Sequence, residues 1–189
     1  MRAKCVLVLS FACLVLSGCR SDEVDQFCLW GPDPSDEKLA ELKARGVKTI
    51  VNVRLNPMEG KEEEARKLGM RYEHIPTGLF KPPTKAHIDK FLTIVRNPDN
   101  LPIYICDQVA HDRVQFYAAV YGMHAHKWSA AKGSEEMYKN GLRRWWPWFY
   151  KYKGVVKKYE ADIQSNTAAS AIEQQRSAAQ IDQTVEDSP

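Results

Sequence analysis

The stretch Ile103–Arg113 constrains the fold of this chain more than any other. Three apolar residues at its start are followed by a short polar loop and then by Arg113, where a helical pattern begins. A buried strand that turns through a tight loop into a helix directs backbone N–H groups and the positive end of the helix at one point. The stretch therefore predicts an anion-binding loop at the end of a strand.

Strand and helix patterns alternate along most of the chain. Ser35, Thr84 and Ser129 are suitable N-caps for the helices. This alternation predicts an α/β fold with a parallel central sheet of about four to five strands flanked by helices. Ligands bind beyond the carboxyl ends of the strands in such sheets. The predicted strands are Phe27–Trp30, Val47–Val53, Met70–Ile75 and Leu101–Cys106.

The N-terminus carries a targeting signal. Arg2 and Lys4 precede an apolar run, Val6–Leu16, that is too short for an ordinary transmembrane helix. The Leu-Ser-Gly-Cys box that ends at Cys19 resembles the cleavage site of bacterial lipoproteins, in which the Cys becomes lipidated. We therefore expect residues 1–18 to be a signal peptide and Cys19 to carry acyl chains that anchor the protein in a membrane. A plain secretory signal with a chance Cys is the alternative.

The residue after Cys19 indicates where the protein is located, and the net charge of the mature chain indicates which partners to expect. Arg20, rather than Asp, follows Cys19, and in such lipoproteins this favours the outer membrane. We expect a bacterial cell-envelope protein that faces the periplasm. Loss of Arg2 and Lys4 with the signal lowers the formal net charge from +3 to +1. Nothing therefore indicates nucleic acid as a partner.

Composition divides the mature chain into three parts. Residues 19–26 are a polar tether, residues 27–162 form one domain, and residues 163–189 are expected to be disordered because they bury too little apolar surface. The aromatic-rich segment Leu142–Ala161 predicts a C-terminal helix that closes the core. A membrane-surface or partner-binding platform is the alternative for that segment. Cys28 and Cys106 are either buried thiols or a disulfide.

Several segments between Phe27 and Tyr138 carry a family resemblance. They are Pro34–Glu37, Leu39, Leu42, Gly46–Arg54, Tyr72–Pro76, Ile103–Arg113 and Trp128–Met137. Together they resemble the cysteine-dependent tyrosine and dual-specificity phosphatases, in particular the bacterial dual-specificity-like members. The resemblance implies their fold and an active-site loop in which a nucleophilic Cys and an Arg are separated by five residues.

The register of that loop leaves the nucleophile in question. Aligned without gaps, Asp107 takes the place of the nucleophilic Cys, and Cys106 takes the place of a His. The resemblance then implies an anion site formed by Arg113 and by the loop residues Gln108, Val109, Ala110, His111 and Asp112. The alternative register makes Cys106 the nucleophile, but it needs an extra loop residue, which would spoil the wrapping of amides around a phosphate.

Further departures argue against catalysis. Ala110 stands at the loop glycine, Val114 at the hydroxyl residue after Arg113, and Thr77–Pro83 has no carboxylate to serve as a general acid. A carboxylate at Asp107 would also repel a dianionic substrate by about 4 kcal/mol at 4 Å and an effective dielectric of about 20. We expect a degenerate phosphatase in which Asp107 lies near Arg113 and fills the anion site from within.

Three functions follow as hypotheses. The first is a lipid-anchored, phosphatase-like module that is catalytically impaired and binds an anionic or phosphorylated ligand or a protein partner. The second is an active phosphatase that uses Cys106 or Asp107, and the third is a structural envelope lipoprotein. We expect no cofactor, and no metal, because His124 and His126 lack a third ligand nearby.

Overall fold

A computed structural model describes residues 23–78, 81–142 and 150–163. Five strands form one sheet in the order β1-β2-β5-β3-β4. The strands are β1 Glu23–Asp25, β2 Cys28–Pro32, β3 Thr49–Asn52, β4 Arg71–His74 and β5 Ile103–Asp107. The helices are α1 Asp36–Ala44, α2 Lys61–Lys67, α3 Lys85–Arg96, α4 Arg113–Ala125 and α5 Ala130–Lys139, with a 3-10 turn at Pro98–Asn100 and a helix, α6, over residues 150–163.

The predicted parallel sheet is confirmed for four adjacent strands, because β2, β5, β3 and β4 pair in parallel. The fifth strand, β1, pairs antiparallel with β2 at the edge of the sheet. It lies inside residues 19–26, which the sequence places in the tether. Asp25 explains the difference, because its Oδ1 accepts hydrogen bonds from the N–H groups of Phe27 and Cys28 and closes the turn between the strands.

The sheet separates two apolar layers, and β5 alternates between them. Ile103 and Ile105 belong to the layer that includes α3, α4, α5 and α6. Tyr104 and Cys106 face the smaller layer beneath α1 and α2. Successive side chains along a strand point to opposite faces of the sheet. Asp107 therefore lies on the same face as Ile105, toward α4.

The predicted N-caps form as hydrogen bonds. The hydroxyls of Ser35 and Ser129 accept from the N–H of the third helical residue of α1 and α5, and Thr84 does the same in a capping box with His87. Such caps satisfy backbone groups that a helix leaves unpaired and stabilise it by about 1 kcal/mol each. Local sequence therefore fixes where three of the helices begin.

The C-terminal helix closes the core, as the aromatic pattern predicts for its described part. Tyr152, Val156 and Ile163 are buried in the α4 layer, and the Tyr152 ring packs at 5.6 Å from the Phe116 ring. Tyr150 is exposed. Since Ile163 belongs to the core, the predicted tail, 163–189, begins one residue too early. Its remainder and the tryptophans of the aromatic segment lie outside the described residues.

The described part of the chain includes no helix with the length and apolar character needed to cross a bilayer. The predicted signal peptide and Cys19 lie outside the described residues.

Candidate functional site

The loop between β5 and α4 lies at the carboxyl edge of the parallel strands. All five residues of β5 are buried, so the strand holds the start of the loop at the centre of the sheet. The loop spans the next five residues, and α4 begins at Arg113. Strand, loop and helix therefore have the layout that the sequence predicts for an anion-binding loop.

Asp107 occupies the centre of this loop with its own side chain. Its Oδ1 accepts hydrogen bonds from the N–H of Val109 at 3.0 Å and from the N–H of Ala110 at 2.6 Å. Its Oδ2 accepts from Nε of Arg113 at 3.0 Å. Donors that could hold an external anion thus bind a carboxylate that is only 1% exposed.

Arg113 connects the loop to the segment after β4. Its Nη1 donates to the carbonyl of Thr77 at 3.1 Å, and the Thr77 hydroxyl bonds the hydroxyl of Tyr117 at 2.7 Å. Gln115 donates from its side-chain amide to the carbonyl of Ala110. These buried partners hold the arginine and the loop in one arrangement, because a buried ion pair is stable only when its remaining polar groups are also satisfied.

Ala110 adopts a left-handed backbone conformation, with φ of 55°. Residues with a Cβ pay roughly 1–2 kcal/mol in this region, whereas glycine adopts it freely. The loop therefore keeps the backbone geometry that a glycine suits while its sequence has an alanine. Two hydrogen bonds hold this residue in place, because its N–H donates to Oδ1 of Asp107 and its carbonyl accepts from the side-chain amide of Gln115 on α4.

Cys106 lies on the opposite face of the sheet from the loop. Its side chain is fully buried in the layer beneath α1 and α2, and its Sγ lies 3.8 Å from the carbonyl of Val51. Burial raises the pKa of the thiol well above its usual range, and the carboxylates of Asp33 and Asp107 add to that rise. A nucleophile needs the thiolate form. Both this position and this pKa disfavour the register that makes Cys106 the nucleophile.

Cys28 is also a free, buried thiol, and it belongs to the layer on the α4 side. Cys28 and Cys106 therefore face opposite layers of the sheet, and no disulfide joins them in this structure.

The remaining loop residues differ in exposure. Gln108 and Val109 are exposed, whereas His111 and Asp112 are half-buried. Asp112 is the N-cap residue of α4, but its side chain does not cap the helix. Three of the predicted anion-site residues converge on one position. The N–H groups of Val109 and Ala110 and the side chain of Arg113 all donate there, and the acceptor is the Asp107 carboxylate.

A second ion pair beside the loop was not predicted. Asp33 follows β2, and its Oδ2 accepts from Nη1 of Arg54, which follows β3. Pro32 and Asp107 are paired residues of β2 and β5, so Asp33 comes directly after a neighbour of the loop. Burial raises the pKa of Asp33, Asp107 contributes to that rise, and Arg54 and Arg113 oppose it. The sequence does hold a signal for this pair, because β2 and β3 are each followed by a charged residue at the edge of the sheet where ligands bind.

His124 and His126 do not converge. Nε2 of His126 lies 2.7 Å from Asp25 Oδ2, while Nδ1 of His124 is buried and has no hydrogen-bond partner among the described residues. The described residues contain no group of three side chains that could hold a metal ion.

The model of a family described as a DSP-PTPase phosphatase fused to NAD+ kinase matches residues 16–144. This match covers more than half of the chain and ends after the loop, Arg113 and α5. The chain therefore belongs to the DSP-PTPase family, as the sequence resemblance predicts.

Solved phosphatase structures share the fold. PTPMT1 is 18% identical, with a TM-score of 0.63 over 78% of this chain and 98% of that chain. The catalytic core of the PP-IP phosphatase SIW14 from S. cerevisiae is 15% identical, with a TM-score of 0.63 over 79% and 94%. TpbA from P. aeruginosa is 17% identical, with a TM-score of 0.60 over 78% and 88%. No curated protein matches the sequence.

Proposed function

We propose that this protein is a membrane-anchored member of the phosphatase family that has lost thiol-based hydrolysis and acts by binding. The observation that carries the proposal is the Asp107 carboxylate, which takes hydrogen bonds from two loop amides and from Arg113. An active enzyme of this kind would need those donors for the oxygens of a phosphate.

The chemistry of the nucleophile adds to the argument. A phosphate dianion that entered the loop would meet the Asp107 carboxylate, which has the same charge as a catalytic thiolate but is a weaker nucleophile and already binds the loop donors. The segment Thr77–Pro83 offers no carboxylate as a general acid, and Cys106 faces the other side of the sheet.

Of the two binding roles, the geometry favours a protein partner over an anionic ligand. An external anion would have to displace Asp107 from three donors. Val109 in the loop and Leu55 after β3 are exposed apolar residues at the same edge of the sheet. Apolar side chains around a site whose central donors already bind Asp107 suit contact with another protein better than contact with phosphate.

The envelope location is part of the proposal and rests on sequence. The charged start, the apolar run and the box ending at Cys19 support export and lipidation. Labelling with radioactive palmitate in the producing bacterium is expected to mark the wild type but not Cys19→Ala. Labelling of both proteins to the same extent would contradict lipidation at Cys19.

Turnover separates this function from the active-phosphatase alternative, which the family membership favours. Aryl phosphate hydrolysis is measured with and without vanadate on wild type, Cys106→Ser and Asp107→Ala. We expect no vanadate-sensitive turnover in any of the three. Wild-type turnover that disappears only in Cys106→Ser would establish a thiol enzyme, and turnover that disappears only in Asp107→Ala would establish a carboxylate enzyme.

A further inference from the structure

The described chain begins very close to the proposed lipid. Three residues separate Cys19 from Glu23, the first residue of β1. Four Cα–Cα steps span at most about 14 Å even when fully extended. If the acyl chains on Cys19 lie in a bilayer, Glu23 lies within that distance of the membrane surface.

The edge strand is firmly attached to the domain and cannot serve as further linker. Asp25 accepts hydrogen bonds from the Tyr121 hydroxyl at 3.0 Å and lies 2.7 Å from Nε2 of His126, in addition to closing its own turn. Glu23 is paired with Arg45 at 3.3 Å. These contacts join β1 to Tyr121 on α4, to His126 after α4 and to Arg45 after α1. The body of the domain therefore lies at the bilayer together with β1.

An exposed aromatic ring lies in the turn that follows this strand. Phe27 is 42% exposed, although its carbonyl accepts a sheet hydrogen bond from Ile103. Among the described residues, only Leu55, Val109 and Tyr150 are large, apolar and equally open, and Leu55 and Val109 lie at the carboxyl edge. An aromatic ring beside a lipid anchor suits the boundary between headgroups and acyl chains.

We infer that the β1–β2 hairpin, residues 23–27, is the membrane-contacting surface, with the Phe27 ring in the headgroup region and β4 with α2 at the far side. This inference rests on the lipidation of Cys19 in the proposed function. Glu23 and Asp25 are acidic, and Arg45 pairs with Glu23, so the hairpin carries no excess of positive charge. The contact therefore does not require anionic lipid.

The far side supplies a matched control. Four strand spacings separate β1 from β4, which amounts to about 19 Å. Lys67, on α2 beside β4, has a side chain that is 58% exposed. Gln26, in the hairpin turn, is also exposed. Cys28 and Cys106 are fully buried, and the thiol of Cys19 is consumed by the lipid, so a cysteine introduced at either exposed position can be labelled selectively.

The test uses full-length, lipidated protein purified from membranes and placed in phosphatidylcholine vesicles that contain spin-labelled lipid. Gln26→Cys and Lys67→Cys each carry an environment-sensitive fluorophore. We expect quenching at position 26 to be several-fold stronger than at position 67, and weaker at 26 when Phe27→Ala is added. Equal quenching at both positions, or stronger quenching at 67, would overturn the inference alone. An intact mass without acyl chains would overturn both the anchor and the inference.

Discussion

Asp107 binds the donors of the loop between β5 and α4 with its own side chain. Its carboxylate accepts from two amides and an arginine, and it is buried with them. A buried ion pair of this kind is costly to break, by about 3–5 kcal/mol when one partner is removed, because the other charge remains. The loop can therefore stay closed around its own side chain without any bound ligand.

Ala110 provides a prediction at the same scale. Because its φ is 55°, Ala110→Gly relieves backbone strain and leaves the free energy of unfolding unchanged or higher by about 0.5 kcal/mol. The matched control is Ala131→Gly, at an exposed position of α5, which should lose about 1 kcal/mol. Urea unfolding of both variants measures the difference. Equal losses would show that Ala110 is unstrained.

Sequence and structure agree for residues whose roles depend on neighbours in the chain. The distance between Asp107 and Arg113 along the loop was enough to predict that they lie together. The pair Asp33–Arg54 was not predicted, because it joins residues 21 positions apart whose meeting depends on the order of strands in the sheet. The sequence has charged residues at both positions but does not state which strands are neighbours.

At the scale of elements, features set by local sequence were again predicted, and features set by distant contacts were not. The N-caps Ser35, Thr84 and Ser129 are local signals, and each helix begins where they predict. β1 was missed because three residues are too few for a periodic pattern. It is fixed by the Asp25 contacts with Tyr121 and His126, which lie 96 and 101 positions away.

His124, in the last turn of α4, is expected to make the stability of the fold sensitive to acid. Burial, with Arg96 and Lys127 nearby, lowers the pKa of His124 from its usual 6.5 to about 4. The unfolded chain therefore takes up a proton below pH 6.5, while the folded chain does not until about pH 4. Stability should fall as the pH drops through this window, by at most about 3 kcal/mol.

His124→Gln should remove that part of the pH dependence. The free energy of unfolding is measured by urea titration at pH 7, 6, 5 and 4 for wild type and variant, with His111→Gln in the half-buried loop as the control. The wild type and His111→Gln should lose more stability than His124→Gln. The same slope in all three would assign the acid sensitivity to other groups.

At the scale of the whole molecule, α6 belongs to the domain and not to the tail. A chain that ends at residue 163 should unfold at the wild-type temperature, because the composition of residues 164–189 offers too little apolar surface to add to the core. A chain that ends at residue 149 loses Tyr152, Val156 and Ile163 from the core. At about 1.5–3 kcal/mol for each buried side chain, the loss should unfold or strongly destabilise it. Differential scanning calorimetry checks both, and equal melting temperatures would contradict the placement of α6 in the core.

The fold and the chemistry of this protein are thus separable. The sheet and its flanking helices are those of the phosphatase family to which the chain belongs. The hydrophobic pattern that specifies this fold lies in the strands and in α4, whereas Asp107 and Ala110 lie at the end of a strand and in a loop. Substitutions there can change the chemistry at little cost to the packing of the core.

Anion binding by wild type and Asp107→Ala tests the central claim most directly. Calorimetric titration with tungstate or phosphate should give binding to Asp107→Ala that is at least tenfold tighter than to wild type, because the variant frees two amides and Arg113 and removes a negative charge. The double variant Asp107→Ala/Arg113→Ala is the control, and its binding should be as weak as that of the wild type. Tighter binding to wild type than to Asp107→Ala would contradict the claim that Asp107 fills the anion site.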